Sequence, residues 1–390
     1  MIVNISLAWL QLAKQKVRFC VAVTGIAFIA VLMFIQIGFQ DALYTSAIQL
    51  HNNLQGDLFI ISNQYQSLTL HQSFPRWYLY QILGFDEIES VSPLYMQFAK
   101  VKNSISGLKI PIYVLGIIPD KTNLALPNIS QKLILLKLPL TVLFDRKSRT
   151  EFGPIVQEFE QGKTVTMEIF NYTSSIGYKV QLGGLFSLGA SFGVDGNLLV
   201  STSTFFEIFQ DRSPQNLDIG LINLKPHANT QKILASLSAK LPKDVRVITR
   251  QEFINLEKKY WTLRAPVGFI FQLMVSMVFV VGVVIVYQIL YSNIATHLAE
   301  YATLKAIGFK NQDLLIIIFQ QSLILACFGY IPGIGISMNL YILAKDVTKL
   351  PINMTFDKAS LVLIFIVTMC FISAFISTRK LRNVDPVDIF

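Results

Sequence analysis

The chain has 390 residues, 53% hydrophobic and only 15% charged, with a formal net charge of +9. That charge fraction is far below the roughly 25% of an average soluble domain, and so much apolar surface excludes intrinsic disorder. The distribution also argues against a purely water-soluble protein. Residues 19–40, 265–299, 314–344 and 359–378 contain no Asp, Glu, Lys or Arg, and all 33 basic and 24 acidic residues fall outside them.

A helix rising about 1.5 Å per residue crosses a 30 Å hydrocarbon layer in roughly 20 apolar residues. The charge-free windows therefore predict four transmembrane helices, at 19–39, 266–290, 314–337 and 360–377. Helices buried in a soluble core are the alternative, but windows this long and uncharged do not suit it. Residues 1–18 precede the first span. Drawn as a helix, the tail gathers Ile5, Ala8, Trp9, Leu12 and Phe19 on one side and Gln11, Lys14, Gln15 and Arg18 opposite, the layout of an interfacial helix drawn to anionic membrane lipid. Leu7 and Lys16 break this pattern; residues 1–18 are read as a cytoplasmic amphipathic helix, with a frayed basic tail as the alternative. The first span is too long for the apolar core of a cleaved signal peptide.

Basic residues set the orientation. Lys14, Lys16 and Arg18 place the amino terminus in the cytoplasm, and four crossings return the carboxyl-terminal tail 378–390 there, with Arg379, Lys380 and Arg382 in agreement. Lys258, Lys259 and Arg264 fall on the expected outer side, where long loops are largely exempt from the rule. The segment 338–359 becomes an outer loop and 292–313 a cytoplasmic one.

The large outer segment, 41–263, reads as mixed α/β. Asp57–Ser62, Ile88–Ser92, Lys109–Ile118, Leu217–Leu224 and Val245–Thr249 have strand character. Phe74-Pro75-Arg76 opens a helix ending at Gly84. Residues 229–241 form another, with Ile233, Leu234, Leu237 and Leu241 on one face and Asn229 or Thr230 as cap. The two strand–helix–strand units predict a ferredoxin-like unit. The stretch of about 125–215 then forms an inserted β-rich subdomain, with strands at Thr164–Tyr172 and Tyr178–Leu182 and turns at Gly183, Gly184, Gly189, Gly193 and Gly196. Phe253, Leu256, Tyr260 and Leu263 predict a stalk helix, 250–264, continuing into the second span, the alternative being a helix packed on its own domain.

Chemistry-bearing motifs are sparse. Cys20, Cys327 and Cys370 all fall within spans, where each reads as apolar filler. His51, His71, His227 and His297 lack metal-ligand spacing. Gly162-Lys163-Thr164 has Gln157 where a phosphate-binding loop needs its first glycine, so it reads as a turn entering a strand. Nothing supports catalysis, a bound cofactor or a metal, and the outer segment's positive charge is too dilute for nucleic acid.

The loop between spans two and three reads Thr296-His297-Leu298-Ala299-Glu300-Tyr301-Ala302-Thr303-Leu304-Lys305-Ala306-Ile307-Gly308-Phe309. Its residues favour a short helix stopped by Gly308. It could fit a cleft on a cytosolic partner, or be a plain connector. The string Glu300–Gly308 resembles the E-h-(A/G)-T-L-(K/R)-A-h-G signature (h, hydrophobic) of FtsX/MacB-like permeases. Gln321-Ser322-Leu323, Gly329-Tyr330-Ile331-Pro332-Gly333 and the ending Arg379–Phe390 also resemble that family, whose layout is one span, a large outer domain and three further spans.

The resemblance implies a non-catalytic permease subunit of an ABC export system, with ATP bound and hydrolysed by a separate ABC ATPase subunit. It makes 297–308 a coupling helix, with His297, Glu300, Tyr301, Leu304, Lys305, Ile307 and Gly308 as ATPase contacts. Many relatives carry Arg where His297 stands. Gly329, Pro332, Gly333 and Gly335 become packing or kink positions in the third span. The nearest subgroup is the DevC type. That implies a cyanobacterial-like inner membrane, a homodimer, a periplasmic membrane-fusion adaptor, indirectly an outer-membrane TolC-like duct, and an amphiphilic cargo such as a glycolipid. The alternative is an FtsX-like transmitter that regulates an envelope hydrolase and carries nothing.

Overall fold

The computed structural model describes residues 2–121, 124–174 and 176–378; the basic tail residues Arg379, Lys380 and Arg382 lie outside them. The chain divides into a helical unit (1–42, 267–346 and 352–390) and a mixed α/β unit (43–266 and 347–351).

Among the described residues four helices are long and apolar enough to cross a membrane, Lys16–Ala47, Pro266–Thr296, Asn311–Thr348 and Phe356–Ser377. Each extends beyond its predicted span on at least one side, because flanking polar residues do not stop a helix unless glycine, proline or a cap intervenes. The last begins at such a cap, with the Thr355 hydroxyl accepting from the Lys358 amide. Lys358 Nζ lies 2.6 Å from Asp41 Oδ2, so two charges that bound apolar windows form one ion pair. Ser373 Oγ donates to the Val283 carbonyl at 2.8 Å and ties the fourth helix to the second.

The amino-terminal helix, Ile2–Lys14, differs from its expected layout. Ala8 and Leu12 are buried as their apolarity suggests, but so is Gln11, which the sequence puts on the water-facing side. Its amide is satisfied by side chains of neighbouring helices, which removes most of the cost of burying it. Cys370 is buried, whereas Cys20 and Cys327 are exposed and do not fill the bundle.

Among the described residues the α/β unit has strands β1 (Leu58–Ser62), β2 (Phe74–Pro75), β3 (Ile88–Lys102), β4 (Lys109–Ile117), β5 (Thr141–Asp145), β6 (Thr166–Asn171), β7 (Gly177–Phe186), β8 (Asn197–Ser201), β9 (Asn216–Leu217), β10 (Ile219–Leu224) and β11 (Val245–Thr249). At one end the order is β11-β1-β10-β3, all antiparallel. Helices Trp77–Leu83 and Thr230–Lys240 join β1 to β3 and β10 to β11. The second is capped by the Asn229 side chain, which accepts from the Lys232 amide.

β3 is three times as long as its predicted strand. The expected strand ends at Ser92, just before Pro93, yet Pro93 pairs with Gly220 and the strand runs on. Its far half, Tyr95–Lys102, pairs with β4, and Ala99–Val101 also pair with β6. Through β4–β8, β8–β5, β5–β7 and β7–β6 the pairings return to β3, closing a six-stranded ring. The inserted stretch therefore shares a strand with the rest of the unit and is not a separate sheet. Closure removes the edges of the ring, whereas β11, paired with β1 alone among the described residues, ends the sheet.

Gly183 and Gly184 lie inside β7 and are not turns. The register slips between Val142 and Leu143 opposite them, and a Cβ on Gly183 would stand 2.6 Å from Thr141 Cγ2. Gly162 does occupy a turn, at φ +79°, before β6. Leu58 and Ile60 point into one apolar core and Phe59 and Ile61 into another, so both faces of β1 are covered. Helix Arg250–Lys259, with a Thr249–Glu252 capping box, passes into a π-helical turn, Tyr260–Arg264. Ala265 is then extended, so the stalk does not run unbroken into the second apolar helix. The following Pro266 excludes a helical residue before it and suits the first position of the next helix.

Inside this unit Glu257 is buried, accepting from Trp261 Nε1 (2.9 Å), the Leu68 amide (3.0 Å) and the Tyr65 hydroxyl (3.3 Å), with His51 Nε2 at 3.5 Å. Burial pushes the Glu257 carboxyl from 4.5 to about 7, against those hydrogen bonds, and burial pulls His51 from 6.5 to about 3. The signs oppose. Stability from the raised carboxyl is present below its unfolded value of 4.5 and is lost as pH rises towards 7. Stability from the lowered imidazole is present above its unfolded value of 6.5 and is lost as pH falls towards 3. Between these unfolded values the two slopes cancel. Glu257→Gln removes one of them. Its melting temperature, relative to the parent chain, should rise steadily from pH 4.5 to 6.5. A pH-independent difference in detergent melting curves would contradict this assignment.

Candidate functional site

The segment between the second and third apolar helices forms a helix, Leu298–Ala306. Its end is built as its sequence suggests. Gly308 adopts φ +106°, its amide donates to the Lys305 carbonyl (3.0 Å), and the Phe309 amide donates to the Leu304 carbonyl (3.1 Å). This is a Schellman arrangement, which a side chain at 308 would strain.

Three other helices hold this one through a polar network. Gln11 Oε1 accepts from Gln321 Nε2 at 2.7 Å and from the Tyr301 hydroxyl at 3.3 Å. Gln11 Nε2 donates to Glu300 Oε2 at 3.1 Å, and Asn293 Nδ2 donates to Gln321 Oε1 at 3.2 Å. His297 Nδ1 lies 3.0 Å from Glu300 Oε2, and its Nε2 lies 3.2 Å from the Gln15 amide nitrogen. A neutral ring protonated on Nδ1 satisfies both, donating to the carboxylate and accepting from Gln15. Partial burial pushes Glu300 upward, but hydrogen bonds from Gln11 and His297 and the nearby Lys14 charge hold it below its usual range. Burial pushes the Tyr301 hydroxyl up to about 12, so it stays a neutral donor.

The seven expected contact residues differ in exposure. His297 and Tyr301 (1% exposed) lie buried, with the imidazole nitrogens and the phenol hydroxyl engaged inside the bundle, where the expectation has them facing a partner. Glu300, Ile307 and Gly308 face outward; Leu304 and Lys305 are half-buried. Ile307, 71% exposed at the helix end, is the most prominent apolar group on this surface. Sequence reading missed Gln11 altogether and did not give Gln321 this role. The available signal was the pair Gln320-Gln321 in the apolar window of the third span, which does not say which of the two is engaged.

Comparison with known proteins bears on this segment. Residues 273–386 match the FtsX-like permease C-terminal family. This FtsX-like region takes in the connecting helix and the third and fourth apolar helices. Among solved structures, the chain is similar over 52% of its length to the periplasmic region of MacB from Actinobacillus actinomycetemcomitans, at 12% identity, TM-score 0.35 and 92% coverage of that chain. It is similar over 50% of its length to the extracellular domain of the noncanonic ABC-type transporter YknZ from Gram-positive bacteria, at 13% identity, TM-score 0.33 and 99% coverage of that chain.

Within the FtsX-like region, the expected packing positions also divide. A Cβ on Gly329 would stand 2.5 Å from Ile26 Cγ2, and one on Gly333 would stand 2.6 Å from Ala30 Cβ. These two glycines let the third apolar helix approach the first. A Cβ on Gly335 would meet nothing within 4 Å, so Gly335 is no packing position among the described residues. Pro332 sits on the exposed side and removes one backbone donor from the helix interior. Gly333→Leu should therefore destabilise the helical unit by about 1–3 kcal/mol through overpacking, whereas Gly335→Leu should leave it unchanged. Thermal unfolding in detergent checks the pair, and equal effects would contradict the packing assignment.

Proposed function

We propose that the chain is the membrane subunit of an ABC-type export system in a bacterial inner membrane, moved by a separate ATPase that docks on the connecting helix Leu298–Ala306. The observation that carries this reading is the division of that helix into a buried anchor (Tyr301 with Gln11 and Gln321) and an exposed face (Glu300, Ile307, Gly308). A plain connector has no use for a buried polar lock joining it to two other helices. With the lock in place, a push on the exposed face moves the amino-terminal and third apolar helices together with the connecting helix. The match to the FtsX-like permease C-terminal family supports the same reading.

On this reading the α/β unit lies outside the membrane and is the working end. Its antiparallel β11-β1-β10-β3 order, with two intervening helices, suits a ferredoxin-like unit. The chain works as a homodimer of the MacB-like, DevC type, delivering an amphiphile to a periplasmic adaptor. ATP hydrolysis belongs to the partner. Purification of the full chain in mild detergent, with mass spectrometry of bound proteins and a nucleotide-hydrolysis assay, tests this. Co-purification of an ATPase and an adaptor is expected, with no hydrolysis by the chain alone. Hydrolysis by the pure chain, or capture of an envelope hydrolase in place of the adaptor, contradicts the export reading.

A further inference from the structure

A cavity of about 320 Å³ opens in the helical unit between the start of the first apolar helix and the end of the second. Its lining changes character along its length. At one end stand Gln15, Arg18 and Ser292; at the other stand Val21, Ile285 and Ile289. The helices keep this order in register: Arg18 Nη1 donates to Thr296 Oγ1 at 2.6 Å, and Gly25 faces Ile285 and Ile289. A second cavity adjoins the polar end, lined by Lys14, Lys16, Arg18 and Thr296 with Gln15 and Val17.

Three cations therefore surround the polar end, and no carboxylate lines either cavity among the described residues. Glu300, on the connecting helix, is hydrogen-bonded to Gln11 and His297 and feels the charge of Lys14, which shares a neighbouring cavity with it, without forming an ion pair with it among the described residues. Arg18 spends one nitrogen, Nη1, on Gln15 Oε1 (2.9 Å) and Thr296. That pair of bonds fixes the guanidinium at the mouth while its other donors remain for an anion.

We propose that this groove is a binding site for an anionic membrane lipid, the phosphate held by Arg18 with Lys14 and Lys16, and an acyl chain lying between Val21 and Ile285. Charge selects the occupant. A zwitterionic lipid brings a cation of its own to the cluster, whereas an anionic one neutralises it, and a guanidinium fork matches a phosphate's oxygens. The volume lies at the low end of the roughly 300–1,000 Å³ of ligand pockets, which suits a headgroup and the first part of one chain. The occupant bridges the first and second apolar helices beside the polar lock, so lipid composition would tune how firmly the connecting helix is held. The proposal rests on the membrane-embedded reading of the four helices.

The test uses the full chain in phosphatidylcholine nanodiscs doped with photoactivatable phosphatidylglycerol or photoactivatable phosphatidylcholine, each with the reactive group in an acyl chain. Peptide mapping then locates the adducts. Phosphatidylglycerol should label 17–22 and 285–292 several-fold more than phosphatidylcholine. Lys14→Gln with Arg18→Gln should remove that preference. Val21→Trp, at an exposed position, should lower phosphatidylglycerol labelling of the groove without touching the cations. Ile336 and Ile342, exposed on the third apolar helix and outside the groove, should be labelled alike by both lipids. Equal labelling of the groove by the two lipids, or a groove cross-linked to a second copy, overturns the proposal. Absence of label at Ile336 and Ile342 as well contradicts membrane insertion itself, and the proposal with it.

Discussion

Gln321→Leu should loosen the connecting helix and cost the helical unit about 2 kcal/mol, within the 1–3 kcal/mol of an orphaned buried polar group. Gln321 is fully buried and serves three partners: it donates to Gln11 and to Tyr301 and accepts from Asn293. Leucine fills nearly the same volume but leaves the Gln11 carbonyl with one long bond, from Tyr301. Amide hydrogen exchange over 297–308 should quicken, and the detergent melting temperature should fall. The triple variant Gln11→Leu, Tyr301→Phe, Gln321→Leu should recover much of the stability, because removing the three mutually bonded groups leaves only Asn293 and Glu300 short of a former partner. Unaltered exchange over 297–308 in the single variant would mean that something else holds the helix.

The second large effect is on docking. Ile307→Glu should reduce ATPase co-purification at least tenfold while leaving the melting temperature unchanged. Ile307 is 71% exposed, so the chain alone loses little packing, as for most surface substitutions. An apolar group so placed is the kind that anchors an interface, and tenfold corresponds to about 1.4 kcal/mol. Glu300→Lys is a less discriminating test. It removes a charge from the docking face, and it also breaks the bonds to Gln11 and His297 and puts a cation beside Lys14. Retained co-purification of Ile307→Glu would place the docking surface elsewhere.

The apolar helices and the short connecting helix were legible because their signals are local. Charge-free runs fix an apolar helix without reference to the rest of the chain, and Gly308 ends its helix through its own backbone freedom. Val245–Thr249 and the Asn229 cap were equally local. What the sequence concealed is what distant residues decide together. Gln11 reads as polar and therefore wet until Gln321, 310 positions away, supplies its donor. The strand read as ending at Ser92 runs on once Pro93 pairs with Gly220. Tyr301 reads as part of a contact motif, although the same residue type suits a buried anchor. Gly329, Gly333 and Gly335 look alike in sequence, and only their neighbours on the first apolar helix separate them.

Site-specific photo-crosslinking from position 307 in the intact membrane tests the mechanical role most directly. A photoreactive amino acid in place of Ile307 should yield an adduct with an ATPase subunit, and the same probe in place of Gly335 should not. An adduct at 307 only with lipid or with proteins outside the cytoplasm would contradict it, as would ATP hydrolysis by the purified chain.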